Sequence, residues 1–118
     1  MAKSIEIAKG MADFCASKGY VENTAHGIVL AVVRGRAGEI YNLADNWVLT
    51  EREWWELLAQ KLNWSGKIIP LDEGTPGLNT QQHFVLDTAK IRKSLGYKEI
   101  VPVDHALSHT IEWELSNL

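Results

Sequence analysis

Apolar residues recur at helical spacing through much of this chain, and two short stretches between the helical runs read as strands. From Ser4 to about Ser17, Ile5, Ala8, Met11, Ala12 and Cys15 fall on one side, with Lys3, Glu6, Lys9 and Asp13 mostly on the other. That pattern predicts an opening helix capped by Ser4 and stopped by Gly19. Thr24 to Val33 repeats the spacing with Ala25, Ile28, Val29 and Val32 as its inward stripe, behind Asn23 as N-cap. Thr50-Glu51-Arg52-Glu53 is a capping box, and the helix it opens turns Trp54, Leu57, Leu58, Lys61 and Leu62 inward as far as Leu62. Asp87 caps a helix over Thr88 to Leu95 that Gly96 ends, and Val101-Pro102-Val103 starts a last one with the stripe Val103, Ala106, Leu107, Thr110, Ile111 and Leu115.

In Gly38 to Ala44, Ile40, Asn42 and Ala44 alternate with Tyr41 and Leu43, and both sets are largely apolar. Such a segment reads as a short strand covered on both faces, as in parallel sheets. Lys67 to Pro70 is a second short strand, ended by its proline. The fold class is therefore α/β, a small domain of about five helices with two to four short strands.

This order places the turn Asp45-Asn46-Trp47 between a strand and a helix, where open α/β sheets hold ligands. Leu71 to Gln82, with Gly74, Pro76, Gly77 and Asn79, is an irregular loop of a length that more often serves function than mere connection. Arg34-Gly35-Arg36-Ala37-Gly38 follows a helix and opens a strand, the reverse of a phosphate-cradling turn, and reads as a plain connection. His105 and His109 share a helix face, but it is the polar one and no third ligand is marked, so no metal site is expected.

Composition narrows the function classes. With 118 residues the chain is long enough for its own core, and its 46% hydrophobic and 23% charged content is that of a globular protein. A net charge of −3 with scattered Lys and Arg gives no footprint for nucleic acid. The longest apolar run, Ile28 to Val33, is too short for a membrane span, and Met1 to Tyr20 lacks the pattern of an export signal. Cys15 is alone and reads as an inert thiol on an apolar helix face, which fits a reducing, cytoplasmic location. Three of the five tryptophans fall between Trp47 and Trp55, where core or oligomer-interface packing competes with stacking on a ligand ring.

Taken in order, Gly38-Glu39-Ile40-Tyr41-Asn42-Leu43, the strand at Lys67 to Pro70, Leu86-Asp87-Thr88-Ala89-Lys90-Ile91-Arg92-Lys93-Ser94-Leu95-Gly96-Tyr97 and Thr110-Ile111-Glu112-Trp113 resemble the C-terminal, substrate-binding part of the NAD-dependent epimerase/dehydratase family, the extended short-chain dehydrogenases. The resemblance runs over 19–118 and leaves 1–18 as an extra N-terminal helix. It implies a sugar nucleotide as ligand, with Asn42, Asn46, Trp47 and His83 at the cleft, and NAD(P) as the cofactor of the parent family. The family's chemistry rests on a Gly-x-x-Gly-x-x-Gly turn and a Tyr-x-x-x-Lys pair. Thr24, Asp45 and Val101 stand four residues after Tyr20, Tyr41 and Tyr97, and no glycine triplet follows a strand. No catalytic residue and no cofactor are therefore expected in this chain. The arginine that relatives carry in the loop before Phe84 is also missing, which weakens the case for a diphosphate clamp.

Three functions follow from these readings. The first is a non-catalytic substrate-binding relative of sugar-nucleotide epimerases and dehydratases. The second is an assembly domain without a small ligand, a homo-oligomer and most simply a dimer. The third is activity completed by a cofactor-binding chain in trans.

Overall fold

Ser4, Ile5, Glu6 and Ile7 alternate, and it is this period of two that the structure uses. In the computed structural model, which describes residues 3–118, Ser4–Ile7 is strand β1 and pairs in parallel with β2, Lys67–Pro70, Ile5 opposite Ile68 and Ile7 opposite Pro70. Ile7 is buried and Ser4 and Glu6 face outward. The opening helix expected over Ser4 to Ser17 is thus replaced by β1, a 3-10 turn at Met11–Asp13 and extended chain. Ile5 satisfies a helical stripe and an alternating one equally well, β-branched Ile favours the strand, and Gly10 at φ 81° ends any helical run. Met1 and Ala2, the start of the expected helical segment 1–18, lie outside the described residues.

Residues up to Ala16 together with Val48–Val85 form one compact unit, and Ser17–Trp47 with Leu86–Leu118 form another. In the first, helix α2 (Glu51–Lys61) packs against the 3-10 turn. The expected capping box is present: Thr50 Oγ1 accepts from the Glu53 amide at 3.1 Å, and Glu53 Oε2 accepts from the Thr50 amide at 2.8 Å. Cys15, expected on a buried helix face, lies half-buried in extended chain that bridges Thr50.

The second unit holds α1 (Val21–Arg34), α3 (Ala89–Leu95) and α4 (Val103–Ser116). Its core is Leu30, Ile91, Leu95 and Tyr97, with Ala31, Tyr41 and Leu43 packed against them. Gly96 closes α3 at φ 74°, as the sequence predicts; at the other end Thr88 and not Asp87 is the N-cap, and Asp87 Oδ1 accepts from the Ala89 amide at 2.9 Å from one residue further out.

Three expectations change here. Helix α1 forms, but it buries Asn23, Gly27 and Leu30, leaving Ile28, Val29 and Val32 exposed. From Gly27 to Val33 the helix is apolar throughout, so periodicity there cannot choose its face; Gly27 does, because a Cβ there would stand 2.6 Å from the Leu43 methyl carbons. Asn23, expected as N-cap, lies inside the helix and is 1% exposed. The stretch Gly38 to Ala44 starts in a turn at Gly38 and brings Tyr41 and Leu43 inward, yet it forms no strand and joins no ladder, and Ile40 is 80% exposed. The amides of Ile40–Ala44 donate to no group among the described residues. A strand needs a neighbour, and β1 and β2 pair only with each other.

The α/β class expected from the sequence holds, with four α-helices and two parallel strands among the described residues.

Candidate functional site

The turn Asp45-Asn46-Trp47 follows the stretch Gly38 to Ala44 and carries a polar network centred on Asp45. Asp45 is 4% exposed. Its Oδ2 accepts from the Tyr20 amide at 2.8 Å and from Asn23 Nδ2 at 3.1 Å, and its Oδ1 accepts from the Tyr97 hydroxyl at 3.1 Å. The buried Asn23 side chain takes the amides of Ile100 and Val101 on its oxygen, both at 2.9 Å, and gives its other proton to the Val101 carbonyl. No buried side-chain polar atom among the described residues lacks a partner. A carboxylate 4% exposed and held by three donors is a clamp, joining the start of α1, the turn and the 97–101 loop.

Beside it, Arg92 Nη1 donates to Glu99 Oε2 at 3.0 Å while its Nη2 meets Oε1 at 2.5 Å, and the guanidinium lies over the Tyr97 ring. Paired in this way, Glu99 is held down at about 2, chiefly by the Arg92 hydrogen bonds. Burial, then the Asp45 charge, pushes the Tyr97 phenol well above its ordinary range, so it remains a donor.

Of the residues the sequence assigned to a cleft, Asn42, Asn46 and Trp47 belong to this unit. Asn42 is exposed and donates through Nδ2 to the Asp87 carbonyl at 3.2 Å. Asn46 is exposed and is held through its backbone amide on Glu99 Oε1 at 2.8 Å. Trp47 is half-buried. His83 belongs to the other unit, where its Nδ1 accepts from the Cys15 amide at 3.0 Å. That bond places the ring proton on Nε2. His105 and His109 are both exposed, and no group of three potential metal ligands occurs among the described residues.

His83 lines an open cleft of about 550 Å³, with Lys9, Asp13, Thr80 and Gln81 as its other polar side chains. The 3-10 turn supplies Asp13, and the loop after β2 supplies Thr80, Gln81 and His83. An ammonium, a carboxylate, a hydroxyl, a carboxamide and an imidazole make a wall rich in both donors and acceptors. The loop was legible in the sequence by its length and glycines. Lys9 and Asp13 were not, because a helix over Ser4 to Ser17 assigns both to a solvated face; the alternation at Ser4–Ile7 and the break at Gly10 were the signals available.

No family model matches the chain. Among curated proteins it is 29% identical over 98 residues to a dTDP-glucose 4,6-dehydratase of an Actinoplanes species, and 30% identical over 98 residues to one from Streptomyces niveus. Both alignments cover 83% of this chain but only 30% and 29% of the relatives, so the chain spans less than a third of their length. Among solved structures, DesIV, a dTDP-glucose 4,6-dehydratase from Streptomyces venezuelae with NAD bound, superposes on 98% of this chain and 35% of its own, with TM-score 0.80 and 26% identity. RMD from Pseudomonas aeruginosa, complexed with NADPH, shares the fold at TM-score 0.80 and 20% identity.

A dinucleotide of that kind sits where a strand turns through glycines into a helix N-terminus. In the described residues β1 leads through Gly10 into a 3-10 turn of three residues, and β2 leads into the irregular loop, so neither strand offers that junction. No step through a dinucleotide is assigned to this chain's residues. In sequence and in fold alike, this chain resembles the C-terminal part of the NAD-dependent epimerase/dehydratase family, the extended short-chain dehydrogenases.

Proposed function

We propose that this chain is the substrate-side part of a sugar-nucleotide epimerase or dehydratase fold, that it holds no dinucleotide and runs no hydride chemistry alone, and that its retained role is to bind a sugar nucleotide. The observation supporting this reading is the polar cleft around His83, of a size that takes a small ligand and lined by groups that suit hydroxyls and phosphate. Tryptophan fluorescence of the chain, titrated with UDP-glucose, dTDP-glucose, GDP-mannose and NADH, tests it. A saturable change with a sugar nucleotide and none with NADH is expected, and silence toward all three sugar nucleotides removes the reading.

A second reading, a homo-oligomeric assembly domain without a small ligand, is favoured by one observation. The outward face of α1 carries Val21, Ile28, Val29, Val32 and Val33, every one more than half exposed. An apolar helix face of that extent is ordinarily covered. Light scattering after size exclusion tests it, and a monomer at high concentration counts against it.

A further inference from the structure

His109, Thr110 and Trp113 fall at i, i+1 and i+4 along α4 and so share one side of it, where Trp113 stands 62% exposed. Tyr20, Val21 and Glu22, at the start of α1, form the facing wall of a groove of about 450 Å³ that these six residues line. We propose that this groove is a binding site for a small organic cation of the quaternary ammonium type. It belongs to the unit that holds α1 and α4, not to the unit of the His83 cleft, and does not depend on the substrate-side reading.

Tyr20 is held in place by the buried clamp, since its amide donates to Asp45 Oδ2 at 2.8 Å. Its ring centroid stands 6.5 Å from that of His109, with the two planes at 51°. With Trp113, three of the six lining residues present aromatic rings, whose faces carry partial negative charge. The hydroxyl donors of the lining are already engaged. Tyr20 donates to Glu22 Oε1 at 3.5 Å, and Thr110 Oγ1 donates to the Ala106 carbonyl at 2.8 Å. Glu22 is the one carboxylate of the lining, which holds no lysine or arginine. Ring faces beside a carboxylate attract a cation and repel an anion. A primary ammonium brings three N–H groups that each need an acceptor, more than this wall supplies. A trimethylammonium group brings none; its charge spreads over methyl groups that pack on the rings, and the groove has room for one molecule of that size.

The test is a nitrogen-15 chemical-shift titration of the full chain with choline and with its neutral isostere 3,3-dimethyl-1-butanol, at about pH 8, above the ordinary range in which imidazole gains its charge. Trp113 and Glu22 are both exposed, so Trp113→Leu and Glu22→Gln leave the fold intact, and the unliganded spectra verify this. The expected result is saturable movement of the Trp113 indole N–H and of the Tyr20, Glu22, His109 and Thr110 amides with choline, and binding of the neutral alcohol weaker by about fivefold or more. Trp113→Leu and Glu22→Gln should each weaken choline about fivefold, while Trp113→Phe keeps most of the affinity. Equal affinity for choline and the alcohol overturns the role of charge, and choline binding unchanged in Trp113→Leu overturns the site. A trimethyllysine peptide or phosphatidylcholine vesicles bound far more tightly than free choline overturn the small free ligand and assign the groove to a methylated protein or to a membrane surface. No movement with any probe overturns the proposal outright.

Discussion

Asp45 illustrates how far a single side chain can organise a unit. Its two oxygens meet three donors, the Tyr20 amide, Asn23 Nδ2 and the Tyr97 hydroxyl. Asp45→Asn removes the charge that these donors meet, and its NH₂ group fits only toward the Tyr97 hydroxyl, which must turn from donor to acceptor. The expected cost is about 1–2 kcal/mol, from exchanging charge-assisted hydrogen bonds for neutral ones, read as a lowered urea midpoint. Tyr97→Phe removes one donor and leaves Oδ1 short of a partner, at about 1–2 kcal/mol by the same measurement. The Arg92–Glu99 pair makes a separate prediction in pH. Because Glu99 is held at about 2 in the folded chain against 4.5 ordinarily, the unfolded chain binds more protons between those values. Stability from this pair is complete above about pH 4.5 and is lost as pH falls toward 2. The shift corresponds to about 3 kcal/mol at most. Urea unfolding of Glu99→Gln at pH 7 and pH 3 checks it: the variant should be weaker at pH 7 and lose less than the wild type on acidification. Equal losses in both proteins would place the acid sensitivity elsewhere.

At the scale of elements, local chemistry succeeded where both partners lie close together in the chain. The Thr50–Glu53 box, Asp87 before α3 and Gly96 after it are contained within a few residues, and the structure shows each of them. Thr50→Ala should therefore cost about 1 kcal/mol in urea unfolding and lower the helical circular dichroism signal, with Thr50→Ser nearly neutral. Where the deciding partner is remote, the sequence misled. Nothing near Ile5 says that Ile68 lies beside it in a parallel ladder, so a helical stripe was read where β1 forms. Nothing within α1 says that Leu43 approaches Gly27, so the apolar run Gly27 to Val33 points to the wrong face. Gly38 to Ala44 has strand composition, but a strand is a relation between two segments, and no described segment pairs with it. The candidate cleft divides in the same way. His83 was legible because it ends a long loop rich in glycine. Lys9 became visible only once β1 and Gly10 had turned the chain toward that loop.

At the scale of the whole molecule, the two largest departures from an ordinary surface both lie in the unit that contains α1. Val32 is 80% exposed, Val33 73%, and Ile40 at the start of the unpaired stretch is again 80%. Polar surroundings would explain one such residue, but not a face of five on one helix together with unpaired strand-like backbone in the same unit. Covering that face with a second copy is the homo-oligomeric reading. It predicts that the chain, 13.2 kDa as a monomer, elutes as a multiple of that mass at about 0.1 mM by light scattering. Val29→Lys combined with Val32→Lys should shift it to the monomer. Because neither side chain is buried within the chain, the same pair should leave the unfolding free energy at low protein concentration within about 0.5 kcal/mol of the parent. A large loss of stability would mean that these residues do pack within the chain. A monomeric parent would mean that a second copy does not cover the face. In that case the remaining two thirds of the relatives' fold, supplied as a separate chain, becomes the partner to test by mixing.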